Sequence, residues 1–267
     1  MSNQCPNDVK HLIVQIYEIQ TPAEAMAMAA LGVDHIGSVL VDEQRWNEAT
    51  VRDTIRTVQN AGARSSLIPL FASLDTVLRA LDFHCPDLVH FCDSLGLADD
   101  IEVACRRAAH WQEQIRRRFA GIKIMRSIPI ARPGAGATVP TLELAARLAP
   151  LSDFFLTDTW LGTGGQNGPV DQPVAGFVGI TGKTCDWDMA ARLVAASPVP
   201  VILAGGIGPD NVAEALSRTA PAGIDSCTGT NMVDAQGRPV RFAKDPEKVR
   251  RVVQAVRRAQ TAMEQRG

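Results

Sequence analysis

Val201-Ile-Leu-Ala-Gly-Gly-Ile-Gly-Pro-Asp-Asn-Val212 is the stretch whose reading decides the fold. Val201 to Ala204 run without a polar break, the mark of a strand covered on both faces in a parallel sheet flanked by helices. Gly205, Gly206 and Gly208 then permit a tight turn with open backbone N–H groups, and Pro209 with Asp210 suits the first turn of a helix. Such a turn is a ready anion site, because unpaired amides and the positive end of the helix dipole converge there. A turn needed only for packing would use the same glycines, so the neighbourhood has to decide.

Outward from this unit the same alternation recurs. Apolar strands are expected at 11–17, 34–41, 66–71, 87–92, 122–128, 154–158, 201–204 and 223–226. Between them the pattern predicts helices from Thr21 to Gly32 and at 48–60, 74–81, 100–119, 141–148, 187–195 and 209–218, with a last helix carrying Val249, Val252, Val253 and Val256 at helical spacing. Thr21-Pro-Ala-Glu24 has the cap, proline and glutamate of a capping box. Eight strands alternating with eight helices predict an α/β chain folded as one (β/α)8 TIM barrel over 1–267, with an extended loop at 159–183. The doubly wound open sheet fits less well, because Tyr17-Glu-Ile-Gln-Thr21 lacks the GxGxxG turn of dinucleotide folds.

Composition narrows the partners. A net charge of −2 gives no electrostatic reason to expect nucleic acid or an anionic membrane, which leaves small molecules; self-association stays open. Cys5, Cys85, Cys92, Cys105, Cys185 and Cys227 form no CxxC pair and no zinc-like spacing, and the five histidines share no spacing. No metal site is therefore expected, and the thiols read as those of a reducing cytoplasm. The first ten residues lack the layout of a signal peptide.

In a barrel the chemistry lies at the C-terminal strand ends. That rule selects Tyr17, Glu18, Asp42, Arg45, Cys92, Asp93, Arg126, Asp158, Gly205, Gly206, Cys227 and Thr228. The last two turns, Gly205 to Gly208 and Cys227-Thr-Gly-Thr230, are neighbours in a closed barrel and are expected to hold phosphate, with Gly229 in the second turn. Asp158 closes an apolar strand, where a carboxyl can acquire a raised pKa and act as a general acid; a loop-pinning aspartate is the bland alternative. Arg45, beside Trp46, could fork onto a substrate carboxylate or be a solvated loop arginine. Leu161-Gly-Thr-Gly-Gly-Gln-Asn-Gly168 suits a lid or binding loop. Gly182-Lys-Thr184 lacks the spacing of a nucleotide P-loop, and an ATP site is rejected.

Taken together, Val201 to Val212, Gly182-Lys-Thr-Cys-Asp-Trp187, Lys244-Asp-Pro-Glu-Lys248, Thr21-Pro-Ala-Glu-Ala25 and Gly32-Val-Asp-His-Ile-Gly37 resemble phosphoribosylanthranilate isomerase of tryptophan biosynthesis. The resemblance implies a (β/α)8 barrel that converts an aminoaldose phosphate to an aminoketose phosphate by an Amadori rearrangement, without a cofactor. It implies that Asp158 is the general acid on the ring oxygen, and that the last two turns hold the phosphate. Arg45 is implied, loosely, as partner of the anthranilate carboxylate. The family's first strand ends Lys-Ile-Cys-Gly-Ile-Thr with the cysteine as base, whereas this chain has Gln15-Ile-Tyr-Glu-Ile-Gln20. Tyr17 stands at the thiol's place, and an ordinary tyrosine pKa of about 10 makes it a poor base.

Three readings follow: an isomerase whose base has moved to Glu18 or Cys92, a related barrel acting on another sugar phosphate, and a non-catalytic phospho-ligand binder. The first two differ in substrate, and the third lacks turnover. Loss of the thiol implies weak or absent family activity, which Tyr17→Cys is expected to raise if the rest of the site is intact.

Overall fold

A computed structural model describes residues 11–95, 97, 100–135, 139–162 and 176–265. Eight parallel strands close into a barrel in sequence order: β1 (Ile13–Ile16), β2 (His35–Leu40), β3 (Arg64–Pro69), β4 (Leu88–Phe91), β5 (Lys123–Ala131), β6 (Phe154–Trp160), β7 (Val201–Leu203) and β8 (Gly223–Ser226). Pairing of β1 with β8, Gln15 opposite Asp225, completes the ring. The helices are α1 (Pro22–Ala30), α2 (Ala49–Asn60), α3 (Leu74–His84), α4 (Ile101–Arg118), α5 (Thr141–Leu148), α6 (Trp187–Ala196), α7 (Val212–Thr219) and α8 (Pro246–Glu264).

Local chemistry starts these helices. Thr21 accepts from the Glu24 amide while Glu24 reaches back, completing the capping box of α1. Ser73, Asp100, Asp186 and Asp245 cap α3, α4, α6 and α8. The apolar residues divide by strand period. Tyr17, Val39, Leu88, Met125, Leu156, Ile202 and Ala204 pack together inside the barrel, while alternate positions such as Val14, Ile16, Phe155 and Ile224 join the helices outside it.

Three details depart from the sequence reading. Pro209 and Asp210 lie in a turn, and α7 starts only at Val212. Asn211 accepts from the Gly208 amide at 2.9 Å and donates to the Gly206 carbonyl at 2.9 Å, so an asparagine bracket rather than a helical turn fixes the glycines. Second, β5 continues to Ala131 and β6 to Trp160, so Arg126 is a mid-strand residue. Its side chain points outward to Gln112 of α4 and to Asp93, away from the mouth. Third, β9 (Asn231–Val233) and β10 (Pro239–Lys244) form an antiparallel hairpin between β8 and α8 that the pattern reading did not anticipate. Its strands alternate weakly, and only its inner edge, ending in buried Lys244, carries a burial signal.

Candidate functional site

Two adjoining cavities open at the C-terminal end of the barrel and share Asp158, Gly179, Ile180, Asp225 and Cys227. The larger, an open-sided space of ≈ 560 Å³, has an apolar side of Val39, Ile68, Leu70 and Leu156. The smaller, ≈ 330 Å³, is walled by the β7 and β8 turns and by the 179–182 segment.

The smaller cavity is built from backbone. Gly205 and Gly206 have φ of 91° and 64°, in the left-handed region that favours glycine. A Cβ on Gly229 would lie 2.2 Å from the Ile207 carbonyl oxygen, so only glycine lets the β8 turn approach the β7 turn this closely. The amides of Gly206, Thr228 and Gly229 make no hydrogen bond to another described residue. Open donors in a glycine-walled hollow are what an anion such as phosphate requires.

Asp158 stands between the two cavities. Burial pushes its carboxyl from 3.8 up to about 7, only partly opposed by a hydrogen bond from Ser127. Behind it lies a chain of side chains. Ser127 Oγ donates to Asp158 Oδ2 at 2.6 Å. His90 Nε2 lies 2.8 Å from that Oγ, and His90 Nδ1 lies 2.9 Å from the Tyr17 hydroxyl. Ser66 Oγ follows at 2.6 Å. Burial, and secondarily Arg126, push His90 down to about 3, so its ring is neutral near pH 7. With Ser127 donating to the carboxylate, its oxygen accepts from His90 Nε2–H, and the free Nδ1 lone pair accepts from the Tyr17 O–H. Every donor in the chain then points toward Asp158, and the second carboxyl oxygen is left to carry a proton into the cavity.

A family model for N-(5'-phosphoribosyl)anthranilate isomerase matches residues 143–255. The N-(5'-phosphoribosyl)anthranilate isomerase of Haloferax volcanii is 30% identical over 254 residues, covering 94% of this chain and 96% of the relative. The chain belongs to the phosphoribosylanthranilate isomerase family. The Methanocella arvoryzae isomerase is 27% identical over 244 residues, with 91% and 97% covered. The solved phosphoribosylanthranilate isomerase from Thermus thermophilus superposes with a TM-score of 0.62 at 19% identity, covering 92% of this chain and 99% of that one, a likeness of fold.

Against this family background the residues singled out from sequence separate into two groups. Asp158, Gly205, Gly206, Cys227, Thr228 and Gly229 converge on the smaller cavity, with Gly208 in contact behind Gly229. Tyr17, Glu18 and Cys92 reach the larger cavity but none is presented as a base. Burial drives the Tyr17 hydroxyl well above its normal pKa of 10.0, and its oxygen is engaged by Ser66 and His90. Burial likewise drives the Cys92 thiol well above 9.0, where it is no thiolate at neutral pH.

Glu18 faces the mouth because its backbone turns left-handed, φ 65°, at the end of β1. There Arg241 Nε donates to Oε1 at 2.7 Å and the Phe242 amide to Oε2 at 3.3 Å, with Lys244 Nζ 4.0 Å away. Burial works to raise the Glu18 pKa, but Lys244 and Arg241 outweigh it and hold the carboxyl below its ordinary 4.5. Both carboxylate oxygens are thus spent on the β9–β10 hairpin. Arg45 lies outside both cavities on an exposed 3-10 turn, paired with Glu48 at 2.7 Å. The Leu161 to Gly168 motif falls largely outside the described residues.

The mouth is covered by a described part of the β6–α6 connection. Phe177 bridges Asp93 in antiparallel fashion; Ser94 N donates to Gly176 O and Val178 N to Cys92 O. Gly179 then passes directly over Asp158, where an added Cβ would sit 2.7 Å from Oδ1. Among the described residues no group of three or more His, Cys, Asp or Glu could hold a metal ion, and no helix is long and apolar enough to cross a membrane. The sequence reading missed Asp225, although Gly223-Ile-Asp-Ser226 offered a signal. Its single carboxylate in a buried four-residue strand parallels Asp158 in β6.

Proposed function

We propose that the chain catalyses the Amadori rearrangement of N-(5'-phosphoribosyl)anthranilate, with Asp158 as general acid and the turns at 205–208 and 227–229 holding the phosphate. The observation that carries this reading is a buried carboxyl raised to about 7 at the junction of an amide-lined hollow and an apolar cavity. Phosphate in the smaller cavity leaves the ribose over Asp158 and the aromatic ring against Val39, Ile68, Leu70 and Leu156. Protonated Asp158 donates to the ring oxygen as the C1–O bond breaks, while the nitrogen lone pair closes a C1=N bond. The donor chain through Ser127 stabilises the carboxylate that results. Purified protein should consume N-(5'-phosphoribosyl)anthranilate and Asp158→Asn should do so at least about a hundredfold more slowly; absence of wild-type turnover defeats the reading.

A second reading, a barrel acting on a different sugar phosphate, draws on one observation. No lysine or arginine is among the described residues lining the larger cavity, where an anthranilate carboxylate would seek a cation. Tight binding of another sugar phosphate by a wild type that leaves phosphoribosylanthranilate untouched would favour it.

A further inference from the structure

If the β1 residue is not the base, another group must take the proton from ribose carbon 2. We infer that Asp225 of β8 is the general base of this barrel, paired across the mouth with Asp158 as general acid. The inference rests on the isomerase reading above.

Position is the first argument. Asp225 lines both cavities together with Asp158 and is 6% exposed. It sits on the strand that pairs with β1, in register with Gln15, two residues before Tyr17. The base has thus moved one strand sideways from the place where the family resemblance puts it.

Elimination is the second. The other titratable side chains lining the described cavities are Tyr17, Glu18, His90, Cys92, Asp158 and Cys227. Both nitrogens of His90 are engaged, both oxygens of Glu18 are held by the hairpin, and burial pushes the Tyr17, Cys92 and Cys227 groups up, away from ionisation. Apart from Asp158, which the reading above uses as the acid, Asp225 alone keeps a carboxylate oxygen without a protein partner among the described residues.

Its other oxygen is oriented by a donor chain like that of Asp158. Gln15 Nε2 donates to Asp225 Oδ1 at 3.2 Å, so Gln15 Oε1 accepts from His35 Nδ1 at 3.1 Å. Burial holds His35 at about 4, a neutral ring. Each carboxylate is therefore positioned from beneath by an uncharged histidine. Asp225 is faced by Asp158 from β6, Glu18 and Tyr17 from the end of β1, Lys244 from β10 and Cys227 beyond its own strand. Burial raises it from 3.8 to about 7, with the Asp158 charge adding and Lys244 opposing. With both carboxyls raised to about 7, one can hold a proton while the other is ionised near neutrality, which supplies one acid and one base at once.

The proton balance closes. Asp158 protonates the ring oxygen, and ionised Asp225 removes the carbon-2 proton, whose electron pair forms C1=C2 and neutralises the iminium nitrogen. Asp225 then returns its proton to carbon 1 as the 2-hydroxyl loses its own to Asp158, giving the aminoketose and restoring both carboxyls.

The test is steady-state turnover of N-(5'-phosphoribosyl)anthranilate by wild type, Asp225→Asn and Asp225→Ala, with Asp225→Ser replacing the Asn variant if that fails to fold. Asp225→Asn should lower kcat by about 10² to 10⁴ with KM close to wild type, and should abolish the rising limb of kcat against pH. Formate, but not chloride at equal ionic strength, should restore part of the Asp225→Ala rate, which a purely structural role would not allow. Near-normal kcat in Asp225→Asn beside a dead Asp158→Asn would overturn Asp225 as base and leave the isomerase reading standing. No turnover in wild type would overturn both.

Discussion

The β6 to β8 side of the mouth and the β1 to β4 side are built from different materials. On the first, the groups offered to a ligand are mostly backbone amides of glycine turns, fixed by Asn211 and by the close approach of Gly229 to Ile207. On the second, they are buried side chains: Tyr17 and His90 bonded to each other, Glu18 held by the hairpin, and the Cys92 thiol. A backbone grip depends on conformation and survives drift around it, whereas a side-chain device can be dismantled and its task passed to a neighbouring strand. That contrast offers a physical reason why glycine turns such as those at 205–208 and 227–229 could persist while a side chain at the end of β1 is exchanged.

The largest expected effect tests the junction between the two sides. Asp158→Asn should lower kcat by about 10² to 10⁴ while circular dichroism stays unchanged; retained turnover would remove the acid from the β6 side. The same variant should gain stability at high pH. Between about pH 4 and 7 native Asp158 holds a proton that the unfolded chain has released, so its contribution falls as pH rises through that window. A shift from 3.8 to about 7 corresponds to at most ~4 kcal/mol at pH 8, at ~1.4 kcal/mol per pH unit. His35 and His90, held at about 4 and about 3 and so below 6.5, work in the opposite sense: their contribution is lost as pH falls below 6.5. Urea titrations at pH 5 and pH 8 should show the variant gaining more on wild type at the higher pH.

Next in size is the backbone grip. Gly206→Ala puts a Cβ 2.7 Å from the Lys183 carbonyl carbon at a φ of 64°. It should raise KM or weaken inorganic phosphate binding by about tenfold, equivalent to ~1.4 kcal/mol, with kcat less affected. Calorimetry with phosphate provides the check. Tyr17→Phe probes the other side by removing one hydroxyl from the donor chain and leaving His90 Nδ1 without its donor, at a cost of ~1–3 kcal/mol of stability. If Tyr17 were the base, this variant would be inactive; a donor-chain role leaves most turnover. Tyr17→Cys, which the resemblance alone favours, also empties the space the ring fills beside Gly37. Arg45→Ala should change least, under ~1 kcal/mol in stability and little in KM, because its guanidinium is exposed and paired to Glu48.

The barrel was legible because each buried strand carries its own apolar run and each helix its own cap, as in Thr21-Pro-Ala-Glu24. The glycine turns were legible for a related reason: glycines at 205, 206, 208 and 229 mark backbone geometry that a sequence displays directly. Asp225, the Glu18–Arg241 pair and the inward donor chains were not. Each depends on which residues from distant strands meet, Glu18 with Arg241 or Tyr17 with His90, and on a left-handed turn at Glu18 that no glycine announces. Arg45 misled because a basic residue beside an aromatic one looks the same whether it faces substrate or solvent.

The passage of Gly179 over Asp158 would tie any movement of that segment to a proton. The dryness that holds the acid at about 7 is partly made by the covering segment, which is fastened to the end of β4 by the Ser94 and Val178 amides. Lifting that segment would return water to the carboxyl and draw its pKa back toward 3.8. Closing would therefore take up a proton across the interval between, and each unit of rising pH within it would disfavour the closed form by about a factor of ten. The cover would fit most tightly when the acid beneath it is loaded, and loosen once that proton has been given away.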